Sequence, residues 1–115
     1  MLITTHSAAL VSLDAIDISV EVNTSQGMHF NLVGLPDSAV KESYHRIITA
    51  LSNSKLHLPC MNTVVNLAPA DVRKEGAGFD LPIAVGMLAA NASCASERLS
   101  SMMLVGELGL DGSLK

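Results

Sequence analysis

The chain is poor in almost everything that announces chemistry. It has no Trp, one Tyr and two Phe in 115 residues, so its core must be built from Leu, Ile, Val, Met and Ala. Its two cysteines, Cys60 and Cys94, are too few for a disulfide framework and have no metal-ligand spacing around them, so both read as inert thiols. His57 and Cys60 share a loop but fall short of the ligands a tetrahedral site needs. Cations are scarce: seven Lys and Arg against eleven Asp and Glu give a net charge of −4, which excludes binding nucleic acid with the whole surface. No apolar run approaches the roughly 18 residues of a membrane span. The opening MLITTHSAAL lacks the basic start and long apolar stretch of a secretory signal. A reducing cytoplasm is therefore expected, with no membrane contact, and the Asn-x-Ser triplets at Asn23 and Asn91 are chance matches.

What the chain does have is pattern. Nearly half of it, 49%, is apolar, enough for one core and hence for a single domain over residues 1–115. Residues 2–11 read as a first strand with weak alternation. Over 15–23, Ile16, Ile18, Val20 and Val22 alternate with Asp17, Ser19, Glu21 and Asn23, the period of a strand with one wet face. Asp14, Asp17 and Glu21 are then a solvated face, not a catalytic acid pair. After a turn at Ser25-Gln26-Gly27, Met28, Phe30 and Leu32 continue the alternation, which predicts an antiparallel meander.

The period then becomes helical. Gly34-Leu35-Pro36-Asp37 stops the strand, Asp37 or Ser38 offers a cap, and Ala39 to Leu51 carries an apolar stripe of Val40, Tyr44, Ile47, Ile48 and Leu51. On the wet face Glu42 precedes Arg46 by one turn, an exposed pair worth about 0.3 kcal/mol. Thr63 to Leu67 predicts a central strand, and a second helix begins near Asp80, a candidate cap, with Pro82 in its first turn. That helix is apolar all round, as a core helix is, although an exposed part could dock missing domains. Met102 to Leu108 predicts another strand and Leu110-Asp111-Gly112-Ser113 a two-residue hairpin, with Met87, Met102 and Met103 as core filler. The order β-β-β-α-β-α-β predicts an α+β two-layer sandwich, a mixed sheet with its helices on one face. The hairpin's brief return strand suggests a longer parent chain.

Between the central strand and the apolar helix lies the most informative stretch, with Arg73, Lys74, Glu75, Gly76, Gly78 and Asp80 in one loop. A loop opening a helix gathers backbone N–H groups and a positive dipole end, so it suits chemistry or anion binding. Between Asp71 and Asp80, however, there is no Ser, Thr, Cys or His. The expected role is a contact surface for DNA, a neighbouring subunit or another domain, with Arg73 and Lys74 giving charge and the glycines close approach. A rival reading is phosphate or nucleotide binding by the same N–H groups and cations, with Glu75 and Asp80 against it. The bland alternative is a solvated turn.

VGLPDSAVKES (33–43), VNLAPADVRKEGAGFDLPIA (65–84) and LVGELGLDGSLK (104–115) together resemble the N-terminal domain of the ComM/YifB family of magnesium-chelatase-related AAA+ ATPases. The resemblance implies a ribosomal protein S5 domain 2-like fold, similar to the Lon protease proteolytic domain. It also implies a downstream AAA+ module using ATP and Mg, a hexameric parent, and an association with DNA branch migration and natural transformation. In Lon-type proteases the nucleophilic serine lies two residues after a glycine comparable to Gly76, and here that position is Gly78. The partner lysine of such a dyad lies well beyond a hairpin like that at Asp111-Gly112. No phosphate loop, G-x-x-x-x-G-K-[ST], occurs in the sequence. The expectation is a non-catalytic scaffold, with Asp37 and Asp80 as helix caps.

Overall fold

The computed structural model describes residues 1–91 and 96–115; Cys94 lies outside them. Its strands are β1 (Leu2–Val11), β2 (Asp14–Gln26), β3 (Phe30–Val33) and β4 (Met61–Ala68). Its helices are α1 (Ser38–Lys41), α2 (Ser43–Asn53) and α3 (Asp80–Ala90), followed by a 3-10 turn at Leu99–Ser101. The result is the expected α+β arrangement, a mixed sheet in the order β1-β2-β4-β3 with the helical layer on one face.

The sheet order corrects the predicted meander. β1 and β2 form an antiparallel hairpin, but β3 does not lie beside β2. β4 enters between them, antiparallel to β2 and parallel to β3. Alternation fixes the face a residue takes and leaves its neighbour open. The slot is held by Asn62, whose amide accepts from His29 N–H at 3.0 Å and donates to the Gln26 carbonyl at 3.1 Å. So β4 has a strand on each side, as its β-branched run suggested.

On the covered face Ile18, Val20, Val22, Val65 and Leu67 are fully buried beneath α3 and α2. β1 contributes Ile3, Thr5, Ser7 and Ala9 to that face, which explains its weak alternation. Small and hydroxylated residues are needed there because α3 sits very close. A side chain at Gly86 would reach within 2.6 Å of Val22, and the Thr5 hydroxyl donates to the Pro82 carbonyl at 2.9 Å. Eight residues of α3 are buried and Leu81, Val85 and Leu88 partly so, making it a core helix.

Asp37 caps α1 as expected, its Oδ1 accepting from Val40 N–H at 2.8 Å, and a kink at Glu42 divides the predicted 39–51 helix into α1 and α2. Tyr44 of α2 packs on Phe30, with ring centroids 4.3 Å apart.

The predicted 102–108 strand does not form. This segment makes one backbone bond to the sheet, Leu104 N–H to the His6 carbonyl at 2.8 Å, then turns to bond Gly78 and Leu81. Met102 and Met103, expected in the core, are exposed. The hairpin after it closes with Gly109 N–H on the Ser113 carbonyl at 2.8 Å, spanning three residues where two were expected, and Gly112 takes the left-handed position at φ 90°.

Candidate interaction site

The 69–80 loop follows a cis Ala68–Pro69 bond and is strapped to the segment after β3. Lys74 N–H donates to the Leu35 carbonyl at 3.1 Å and Asp37 N–H to the Lys74 carbonyl at 2.9 Å. The second Asp37 carboxylate oxygen accepts from Gly76 N–H at 3.1 Å. The Val40 N–H holds the Asp37 carboxyl below its ordinary pKa; burial opposes this, and the Gly76 N–H and Arg73 reinforce it.

Two residues expected at the working surface lie inside. Lys74 has no exposed surface, and its ammonium donates to the Pro69 carbonyl. Burial pushes that ammonium below the usual lysine range, with nearby Asp71 acting in the opposite direction. Its stem fills space under the loop, so Lys74 offers a partner no charge.

Asp80 is likewise fully buried and is not a cap. Phe79 is the N-cap residue, Asp80 is the first helical residue, and its carboxylate turns away from the α3 amides. It accepts from Arg46 Nε at 2.7 Å, Arg46 Nη2 at 2.9 Å and Leu108 N–H at 3.1 Å. This bidentate clamp ties α2, α3 and the C-terminal hairpin together and raises the Arg46 pKa. Arg46 Nη2 also donates to the Ala39 carbonyl at 2.7 Å, and Glu42 is a looser neighbour at 3.5 Å. Arg46 was expected in water. The signal that could have found the clamp is a charge count, because a lone carboxylate at the head of a wholly apolar helix needs a cation.

The first-turn amides of α3 are also committed. Asp80 N–H donates to the Ala77 carbonyl at 3.1 Å, Leu81 N–H to Gly106 at 3.0 Å and Ile83 N–H to Phe79 at 3.2 Å, while Pro82 has none. The Gly76, Asp80 and Leu81 N–H groups are thus engaged by protein oxygens, and Lys74, one of the loop's two cations, is buried. Gly78 packs against Val105, where an added Cβ would sit 3.3 Å from a methyl, and the Lys74 ammonium bonds no hydroxyl or thiol among the described residues.

What remains exposed is Arg73, Glu75 and Gly76, with Gly78 partly so. Arg73 and Glu75 pair at 3.2 Å with most of each side chain in water, so little net charge faces outward. Two depressions flank the pair. One, of about 330 Å³, is lined by Leu10, Val11, Ile16 and Val72 with Asp71. The other, of about 360 Å³, is lined by Ala8, Ala9, Leu10, Gly78, Phe79 and Val105. Beside them the end of β1 holds out Leu10, 80% exposed, and the β1–β2 turn Leu13, 99% exposed. Sequence reading missed this apolar rim, although two leucines around Ser12 at a hairpin turn were a visible signal.

The chain is thus a two-layer α+β domain in which the loop opening α3 is bonded to the segments after β3 and before the C-terminal hairpin. Over residues 20–115 the chain matches the family described as subunit ChlI of Mg-chelatase, and it belongs to that family. It is 42% identical over 111 residues to the uncharacterized protein YifB of Escherichia coli, a match covering 96% of this chain and 22% of the relative. The competence protein ComM of Haemophilus influenzae is 43% identical over 111 residues, with the same shares of 96% and 22%. An uncharacterized protein of Mycobacterium tuberculosis is 34% identical over 110 residues, covering 95% of this chain and 22% of the relative. The chain thus spans under a quarter of these relatives.

Proposed function

We propose that this chain is a non-catalytic, N-terminal interaction domain of a ComM/YifB-type AAA+ protein, and that it works through protein contacts. The observation that supports this reading is the turn into α3, where Gly78, at the position that the family resemblance assigns to a nucleophile, has no side chain and packs against Val105. The contact surface is Arg73, Glu75 and Gly76 with the apolar rim of Leu10 and Leu13; Lys74 and Asp80 hold that surface from beneath. ATP and Mg belong to the downstream module, and the parent acts in the cytoplasm as a hexamer, with the DNA branch migration role that the family resemblance implies and a transformation role supported by its likeness to a competence protein. DNA contact is assigned outside this loop, because its one exposed cation is paired with Glu75.

The test is to titrate this chain into the part of Escherichia coli YifB lying outside the matched segment, and separately into duplex DNA, by calorimetry. The expected result is saturable protein binding weakened at least fivefold by Leu10→Lys, with no salt-dependent DNA binding. DNA binding lost on Arg73→Glu, with no protein binding, would overturn the reading.

A further inference from the structure

The interaction surface has a main-chain component as well as a side-chain one. Met1 and Thr24 exchange both of their backbone bonds, N–H of Thr24 to Met1 at 3.0 Å and the Met1 amine to Thr24 at 2.6 Å. In an antiparallel ladder such reciprocal pairs alternate with pairs whose groups point away. With the observed register, Ile3, Thr5, Ser7 and Ala9 therefore bond inward to β2, and Leu2, Thr4, His6, Ala8 and Leu10 turn their N–H and C=O groups to the outer edge of β1. Leu104 N–H on the His6 carbonyl agrees with this parity. Beyond His6 that segment leaves for Gly78, so among the described residues nothing bonds the outward groups of Ala8 and Leu10.

This stretch is unguarded. Exposed edges are usually protected by Lys, Pro, a bulge or brevity, and β3 at the opposite edge is only four residues long. β1 has ten residues with none of those devices, and its open end borders the depression floored by Phe79, Gly78 and Val105. The local charge is acidic. Asp17 lies directly across from Ala8, Asp14 across from Val11, and neither has a cation in salt-bridge reach among the described residues, while Arg73 is neutralised by Glu75.

We propose that the Ala8–Leu10 edge of β1 is a strand-addition site for a protein partner that presents an extended apolar segment with a basic residue at its flank. The extended backbone supplies the donors and acceptors the edge lacks, alternate side chains enter the depression beside Phe79 and Val105, and the basic residue meets Asp14 or Asp17. The proposal rests on the reading of this domain as a protein-contact module and names the chemistry of its partner.

The probe is a fluorescein-labelled synthetic peptide, Arg-Val-Thr-Val-Thr-Val-Arg, titrated with the full chain in fluorescence anisotropy. Two further peptides carry N-methyl groups on odd or on even amides. Ala8→Pro removes one outward N–H and no ladder bond, a placement an edge strand accepts. The expected result is saturable binding that falls at least tenfold for one N-methyl parity and not the other, and at least tenfold for Ala8→Pro at unchanged melting temperature. Should Ala8→Pro fail to fold, the parity of the N-methyl effect on the wild-type chain decides alone. Absence of saturable binding, or equal loss for both parities, overturns the proposal. If the YifB remainder still binds in that case, the edge is dismissed and the contact-module reading stands; if neither binds, both fall.

Discussion

Two neighbouring turns of this protein invert what their compositions suggest. The 69–80 loop is rich in charge, yet Lys74 and Asp80 are fully buried and its backbone is strapped to Leu35, Asp37 and Gly106. The β1–β2 turn is apolar, yet Leu13 is almost wholly in water. The lesson is that a polar side chain enters a core when a specific partner waits for it, and an apolar one stays outside where no partner is at hand. In the proposed contact surface the charged loop supplies the shape and the oily turn the contact area.

Breaking the charged side of this comparison should cost most at Arg46. Arg46→Ala leaves the Asp80 carboxylate buried without its cation and should destabilise the fold by about 3–5 kcal/mol, read from urea unfolding. Lys74→Glu places a carboxylate against the Pro69 carbonyl and should cost at least about 2 kcal/mol, while Lys74→Met, which keeps the stem and loses the hydrogen bond, should cost about 1 kcal/mol. If Lys74→Glu melted like the wild type, the loop would not be knitted as described.

The strap at Asp37 gives a smaller, pH-dependent effect. Its carboxyl titrates lower in the folded state than in the unfolded chain, so its contribution is complete above about pH 4 and is lost as pH falls through the folded value. Asp37→Ala should cost about 1 kcal/mol at neutral pH, and the difference from wild type should shrink in acid. Urea midpoints at pH 7 and pH 3 check both statements. On the apolar side, Leu13→Ser should change stability by less than about 0.5 kcal/mol, and a larger loss would show that the turn packs against something.

Periodicity made much of the fold readable. β1 and β2 were located from their flanks and alternation, and Asp37 was recognisable as a cap by its place before an apolar stripe. What could not be read was whatever depends on partners distant in sequence. The Arg46–Asp80 clamp joins residues 34 apart, and β4 finds its slot through Asn62 reaching Gln26 and His29. The 102–108 segment has strand-like residues, but the edge of β1 holds it by one backbone bond before Gly78 and Leu81 draw it away. That the loop between Asp71 and Asp80 holds no Ser, Thr, Cys or His is plain from the sequence. The burial of Lys74 was hidden, because an adjacent Arg-Lys pair looks the same whether or not one of the two turns inward.

The placement of β4 has a consequence for how the molecule assembles. Among the described residues it is the last strand of the sheet in chain order, but both β2 and β3 bond to it. During synthesis the amino-terminal hairpin must wait, half finished, until Met61–Ala68 has emerged, and β3 has no partner of its own before then. Closure of the sheet is a late, long-range step, so truncations upstream of Ala68 should yield a chain that fails to fold cooperatively.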